Sequence, residues 1–485
     1  MFLSDLENIY PQIKTHPYRQ LAVNNFHRSN KELEQNTVFV AIRGTTWDGH
    51  TAIQEALNKG CSLVVCEHAN IEHKKILIVK DTRLFYTQMA ALFYQNSQQK
   101  LKMLAVTGTN GKTTVTYMTE HIWQQLNKNI AVIGTVDHHL GSYVWPTSLT
   151  SPDAKELHHR LQEFVEKQAS ACIIETSSHA LAQDRVAAID WSAAIFTNLS
   201  QDHLDYHNSM QEYFLAKAKL FTKYLLASNV KNKIAIINQD CEWGKKLIVS
   251  INNLGIKLKT YGKEEADLTF KIIKQSPSGM HISFVYQQAE KTVALPFFGE
   301  HNAYNAAAAM LSLLVEELNP LQGAELLTDS FRIPGRLERI VAAKDVFVFV
   351  DYAHSPDALE QVLSFLQQVK TRRLLTVFGC GGDRDKAKRP LMARVAEIYS
   401  DYMVLTADNP RSEEPLAIID DMKRGLSSTA YEVIADRKEA ICKTLQQAKS
   451  GDIVLIAGKG HENYQEIKGK RVFFSDQAAV EEFYK

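Results

Sequence analysis

The 485-residue chain has no charge bias: Lys and Arg together number 55, and Asp and Glu also number 55. No global field therefore draws it to nucleic acid or to an anionic membrane, so a polyanionic ligand must be held by local basic residues. The opening residues MFLSDLENIYPQIK carry acids where a signal peptide has a basic flank and an apolar run. No stretch approaches the ~20 apolar residues of a membrane span. The six cysteines, Cys61, Cys66, Cys172, Cys241, Cys380 and Cys442, form no CxxC pair, so buried free thiols in a cytoplasmic protein are the expectation. Internal repeats and low-complexity tracts are also absent.

What is present reads as a globular enzyme. Hydrophobic residues make up 45% and charged residues 23%, and the length suits two to four domains. Helical and strand patterns alternate almost throughout, which predicts α/β layers with largely parallel sheets. Three blocks are expected. Residues 1–99 end near the polar YQNSQQKLK, and residues 100–332 begin with the strand MLAV. Residues 333–485 begin at the Pro334-Gly335 break and continue through the apolar VFVFV.

The segment LAVTGTNGKTTVTYM is a strand, a glycine turn and a helix start, the order of a phosphate cradle. Gly108, Thr109, Asn110, Gly111, Lys112, Thr113 and Thr114 form it. Val106 stands where the strict P-loop pattern has its first glycine, so the match is to a shortened form. Lys112 is placed to reach the β- and γ-phosphates of ATP, and the Thr113 hydroxyl to ligate Mg²⁺. The bland alternative is an ordinary turn before a helix; the flanking elements favour the cradle. ACIIETSSHAL sets Glu175 at the end of a buried strand. AAIFTNLSQDHLDYH ends in Asp202, His203, Asp205 and His207. In YFLAKAKLF, Lys217 and Lys219 lie on a helix, where a lysine is ordinarily solvated.

These segments, with FGEHNAYNAAAA, PGRLERI, DYAHSPDAL, VFGCGGDRDKAKRP, TADNPRSEEP and GKGHENYQ, stand in the order found in the Mur ligases. The chain resembles the MurE branch of that family over nearly its whole length. The resemblance implies an N-terminal α/β domain for the uridine nucleotide, a central P-loop ATPase domain and a C-terminal Rossmann-like domain. It also implies ATP-dependent amide ligation through an acyl phosphate. Thr113, Glu175 and His203 correspond to magnesium ligands or their neighbours, and Lys112, His203 and Lys217 to catalytic groups. Lys217 matches a carbamylated lysine that meets metal and substrate. Asn302, Arg336 and Asp351 match adenine, phosphate and ribose contacts.

The third block holds the residues that choose the amine. Asp408, Asn409, Pro410 and Arg411, then Arg384, then Gly458 and Glu462, each follow an expected strand, and such loops converge on one ligand. The D-N-P-R tetrad resembles the form in relatives that add meso-diaminopimelate. That amine is a lysine carrying one more carboxylate, which Arg411 and Arg384 can grip. Lysine would leave those arginines unpaired. The alternative is that Arg411 is a surface residue after a turn.

For the partner substrate, a UDP-N-acetylmuramoyl dipeptide, the resemblance points to Thr150, Ser151, Ser177, Gln183 and Arg185. In the first block it points to Asn25, His27, Thr45, Thr46 and Trp47. Ser151 could instead cap the helix after Pro152-Asp153. Relatives typically read Asp-Ser-Arg where this chain has Phe26-His27-Arg28, so the uridine handle departs from the pattern. Rival readings are L-lysine as amine, a changed acyl acceptor, or a nucleotide-binding protein without ligase activity. No nucleic acid and no membrane partner is expected, and a monomer is.

Overall fold

The computed structural model spans residues 1–485 and describes all except 45–46, 148, 203–205, 328–332, 341–344 and 428–429. Thr45, Thr46, His203 and the expected boundary at residue 332 lie outside the described residues. The chain forms two compact units. The first is Met1–Thr269 with Ala307–Gly323; the second is Phe270–Ala306 with Ala324–Lys485.

The first unit contains two sheets. The N-terminal one has four parallel strands in chain order: β1 (Phe26–His27), β2 (Val38–Val40), β3 (Leu63–Cys66) and β4 (Ile76–Ile78). The middle strands are apolar and buried throughout, as parallel strands covered on both faces must be. The helix Thr82–Phe93 begins where the Asp81 side chain accepts from the Leu84 N–H, and buries Phe85, Tyr86 and Met89 in this core.

The larger sheet takes β5 (Lys102–Thr107), β6 (Ile130–Ile133), β7 (His138–Leu140), β8 (Tyr143–Trp145), β9 (Ala171–Glu175), β10 (Trp191–Phe196), β11 (Ile234–Asn238) and β12 (Lys257–Gly262). Its order is β12-β11-β10-β5-β9-β6-β7-β8, parallel from β12 to β6 and antiparallel thereafter. β5 lies between β9 and β10, so chain connections leave it in both directions. That is the switch point where α/β sheets bind ligands. The helix Lys112–Gln125 follows β5, and its Trp123 Nε1 donates to Ser312 Oγ at 2.9 Å in the core. The helix Met210–Lys219 runs on into a π-helical segment, Leu220–Leu225. Such segments cluster at functional sites.

β13 (Leu268–Ser276) begins in the first unit. In the second, β14 (Gly279–Tyr286) and β15 (Ala289–Leu295) form an antiparallel hairpin. Its main sheet comprises β16 (Glu338–Ile340), β17 (Phe347–Asp351), β18 (Leu374–Phe378), β19 (Tyr402–Leu405), β20 (Tyr431–Val433) and β21 (Ile453–Ala457). The order is β16-β17-β21-β18-β19-β20, parallel apart from β16. A two-stranded hairpin, β22 (Tyr464–Ile467) and β23 (Lys470–Phe473), follows. The three sheets make the chain an α/β protein. Among the described residues, no helix is long and apolar enough to cross a membrane.

Candidate active site

The turn after β5 is built for close approach. Gly108 has φ +149°, and a Cβ there would lie 1.9 Å from Thr197 Oγ1. Gly111, at φ +86°, sits at the N-terminus of the helix Lys112–Gln125. Only glycine reaches such angles without strain. The Asn198 side chain clasps the turn, accepting from the Asn110 N–H at 3.0 Å and donating to the Asn110 carbonyl at 3.1 Å. Thr109 Oγ1 meets the Ser200 N–H and the Tyr213 hydroxyl. Lys112 Nζ donates to the carbonyls of Gly108 and Thr109 at 3.0 and 2.9 Å. The helix start and this lysine together suit phosphate oxygens. Thr114 is buried in the same first turn.

Glu175, fully buried at the end of β9, accepts from the Thr113 hydroxyl at 3.0 Å. Its second neighbour was not apparent in the sequence: Thr135 donates its hydroxyl at 2.9 Å and its N–H at 3.1 Å to the same carboxylate. Thr135 Oγ1 lies 3.1 Å from Thr150 Oγ1. Carboxylate and hydroxyl oxygens are the donors a hard cation such as Mg²⁺ takes. Among the described residues no group of three or more His, Cys, Asp or Glu forms a metal cage. The turn holding Thr135 is fixed by His139, whose ring nitrogens meet Asp137 at 2.6 Å and Glu120 at 3.0 Å. Those two carboxylates overcome burial and raise the imidazole to about 9.

Lys217 is 1% exposed, and its Nζ donates to the Gly108 carbonyl at 2.9 Å, above the Tyr213 ring. Burial first, then the positive charge of Lys112, holds its pKa well below the ordinary lysine value, against the pull of Asp202. Both influences favour the neutral amine over the ammonium. Lys219 differs: it pairs with Asp184, as does Lys223.

Ser151 does not cap the following helix. That role belongs to Asp153, which accepts from the Glu156 N–H. The Ser151 hydroxyl donates to the Glu175 carbonyl at 2.7 Å, and its Oγ accepts from the Ser177 N–H at 3.0 Å. Arg185 donates to the Ser151 carbonyl and twice to Gln183 Oε1, and Gln183 in turn donates to the Tyr206 hydroxyl. In the N-terminal sheet, Phe26 is core, edge-on to Tyr86 and Phe93. His27 meets Glu32 through Nδ1 at 2.9 Å, while its buried Nε2 has no partner among the described residues. Asn25 Oδ1 accepts from Lys155 at 2.7 Å. Arg28, Trp47, Tyr86, Tyr94 and Lys155 line a cavity of about 530 Å³.

The second unit holds two further groups of residues. Asp351 accepts backbone N–H bonds from Leu337 and Ala353 at 2.7 and 2.8 Å; burial raises its pKa even so, with Arg336 opposing. The Arg336 guanidinium lies 5.1 Å above the Tyr352 ring. The Asn302 side chain donates to the Phe298 carbonyl and accepts from Asn305. At the other group, β21, β18 and β19 are adjacent and parallel, and their three C-terminal loops meet. Asn409 donates to Glu462 at 2.8 Å. Lys459, fully buried and also unanticipated, donates to Asn409 Oδ1 at 3.1 Å and Glu462 Oε2 at 3.0 Å. Arg411 stands at φ +53°, donates to the Gly382 carbonyl at 2.8 Å and lies 3.5 Å from Glu466. Arg384 is exposed on the β18 loop. Asp408 accepts from the Asn409 N–H, and a Cβ at Gly458 would lie 2.6 Å from Asp408 Oδ2. The Pro410 carbonyl packs so closely on Gly382 that a Cβ there would lie 1.9 Å away.

Residues 106–313 match the Mur ligase middle domain, and residues 335–460 match the Mur ligase, glutamate ligase domain. The chain is 40% identical over 458 residues to the UDP-N-acetylmuramoyl-L-alanyl-D-glutamate--2,6-diaminopimelate ligase of Aquifex aeolicus (strain VF5), covering 94% of this chain and 92% of that one. It is 39% identical over 460 residues to the ligase of the same name from Lawsonia intracellularis (strain PHE/MN1-00), covering 93% and 94%. A solved structure of a UDP-N-acetylmuramoyl-L-alanyl-D-glutamate--2,6-diaminopimelate ligase superposes with a TM-score of 0.73 at 33% identity, covering 100% of this chain and 99% of that one.

Proposed function

The chain belongs to the Mur ligases, ATP-dependent enzymes that form amide bonds, and we propose that it joins meso-diaminopimelate to UDP-N-acetylmuramoyl-L-alanyl-D-glutamate. Near full-length similarity to relatives carrying that activity in their names is the observation that carries the reading. It acts as a cytoplasmic monomer supplying peptidoglycan precursor, organised as the three blocks 1–99, 100–332 and 333–485.

The chemistry follows from the acceptor. A carboxylate is a poor electrophile with no good leaving group. One oxygen of the D-glutamyl γ-carboxylate attacks the γ-phosphorus of ATP, the bond to the β-phosphate oxygen breaks, and ADP departs. The diaminopimelate amine then attacks the acyl phosphate carbon. The tetrahedral species expels inorganic phosphate, the nitrogen loses a proton, and an amide remains. Lys112 and the loop N–H groups stabilise the charge that moves onto the phosphates. Mg²⁺, when bound beside Thr113, Glu175 and His203, would neutralise part of the triphosphate charge.

Lys217 fits carbamylation. A neutral buried amine attacks CO₂ and loses one proton, and an uncharged side chain becomes an anion able to hold metal. Asn302, Arg336 and Asp351 serve the nucleotide. Thr150, Ser151, Ser177, Gln183 and Arg185, with Asn25, His27, Thr45, Thr46 and Trp47, serve the UDP-muramoyl dipeptide. Arg384, Asp408, Asn409, Pro410, Arg411, Gly458 and Glu462 serve diaminopimelate.

Phosphate release with ATP, Mg²⁺ and the UDP-muramoyl dipeptide tests the reading. Turnover should depend on meso-diaminopimelate and be far lower with L-lysine. Equal rates with both amines would overturn the choice of amine, and no amide product with either would overturn the ligase reading.

A further inference from the structure

One arginine of the first unit has no part in the foregoing account. Arg83 lies in the first turn of the helix Thr82–Phe93 and lines a narrow cavity of about 30 Å³ with Arg28, Arg185, Asp153, Thr87 and Gln183. This cavity adjoins the larger one of about 530 Å³, sharing Arg28, Tyr86 and Asp153 with it.

The charges around it do not balance. Three guanidinium groups face one carboxylate, which leaves two positive charges over. Asp153 is taken by Arg28 at 2.9 Å. Arg185 has only neutral partners, Gln183 Oε1 and the Ser151 carbonyl, and Arg83 donates to the Arg43 carbonyl. Among the described residues neither forms an ion pair. The like charges also repel: burial first, then Arg28, and more weakly Arg83, push Arg185 below its ordinary range, with Asp153 and Tyr206 opposing. Clustered, half-buried cations without counter-ions are costly to keep unless a ligand supplies the negative charge. Arg43, whose carbonyl Arg83 bonds, stands four positions before Trp47, which lines the larger cavity.

We propose that Arg83 contacts the acyl acceptor directly, completing with Arg28 and Arg185 a cationic socket for the carboxylate or diphosphate oxygens of the UDP-muramoyl dipeptide. The proposal rests on the acceptor named above. It assigns to Arg83 a role distinct from a mere staple on the Arg43 loop, since a staple needs no charge.

Calorimetric titration of the full chain with UDP and with the UDP-muramoyl dipeptide, at two salt concentrations, tests it on wild type, R83Q and R83K. R83Q should weaken dipeptide binding roughly 10- to 100-fold, lessen its salt dependence and leave ATP binding within about twofold. R83K, which keeps the charge, should fall between. A loss shared with UDP assigns the contact to the diphosphate, and a loss confined to the dipeptide assigns it to a carboxylate. Unchanged dipeptide affinity in R83Q overturns the proposal. So does a loss of equal size in R83Q and R83K that keeps the wild-type salt dependence, because that marks a staple. Failure of the wild type to bind the dipeptide at all overturns the acceptor itself, and Arg83's role with it.

Discussion

Lys217 and Gly108 stand 109 residues apart in sequence, yet the lysine Nζ donates to the glycine carbonyl at 2.9 Å. The helix Met210–Lys219 is thereby pinned to the first residue of the phosphate loop. The bond also suits the proposed modification. A carbamate keeps one N–H, so it can go on donating to Gly108 while its new carboxylate points elsewhere.

Lys217→Ala should lower ligation by roughly 10³-fold or more while ATP binding changes little, because charge placement rather than nucleotide affinity is removed. Added bicarbonate should restore nothing, and a short carboxylic acid should rescue part of the rate. ¹³C NMR of wild type in ¹³C-bicarbonate should show a carbamate signal that the variant lacks. Wild-type turnover in the alanine variant would remove the carbamate from the mechanism.

Arg411→Ala should raise KM for meso-diaminopimelate on the order of 100-fold and leave KM for ATP within about twofold, since a charge-assisted contact to the distal carboxylate is lost. Any use of L-lysine should be unaffected. Steady-state kinetics with both amines checks this; parallel losses would place Arg411 outside amine selection.

Lys459→Met removes the buried partner of an ion pair and leaves the partly exposed Glu462 in place. Breaking a fully buried pair typically costs about 3–5 kcal/mol, and the exposure of Glu462 should make this loss smaller. Thermal unfolding should show the transition of the second unit lowered, and diaminopimelate KM should rise because Asn409 and Glu462 lose their shared donor. Lys459→Met/Glu462→Gln should recover part of the stability, which a purely local packing defect would not allow.

His139 predicts a pH dependence. Its folded-state value of about 9 lies above the ordinary 6.5, so its contribution is full below about pH 6.5 and is lost as pH rises through 9. The difference corresponds to stability on the order of 3 kcal/mol. Denaturant titrations between pH 6 and 10 should show this decline in wild type, and His139→Gln should flatten it. An unchanged slope in the variant would exclude the Glu120–His139–Asp137 group as its source.

The legible part of the site was the part written in consecutive residues. The turn Gly108–Thr114, the strand ending at Glu175 and the three loops after β18, β19 and β21 each announce themselves through glycines, strand endings and charged residues at short spacing. Their convergence could be anticipated because parallel strands deliver their C-terminal loops to one edge. Thr135, Lys459 and Arg83 carried no such signal. Each is one ordinary residue whose partner lies at least 40 positions away: Thr135 with Glu175, Lys459 with Asn409 and Arg83 with Arg43. The cap that Ser151 could have supplied falls instead to Asp153, two residues on, because the two are equally good caps by type. Tertiary demand decided between them, drawing Ser151 to the Glu175 carbonyl.

Thr135 has one hydroxyl proton and two oxygen neighbours, Glu175 and Thr150. If it gives that proton to the carboxylate, Thr150 must supply the other, and the three groups form a one-way relay reading inward. Glu175 is then the common acceptor of hydroxyl protons arriving from two directions, from Thr135 on the Thr150 side and from Thr113 at the start of the phosphate-loop helix.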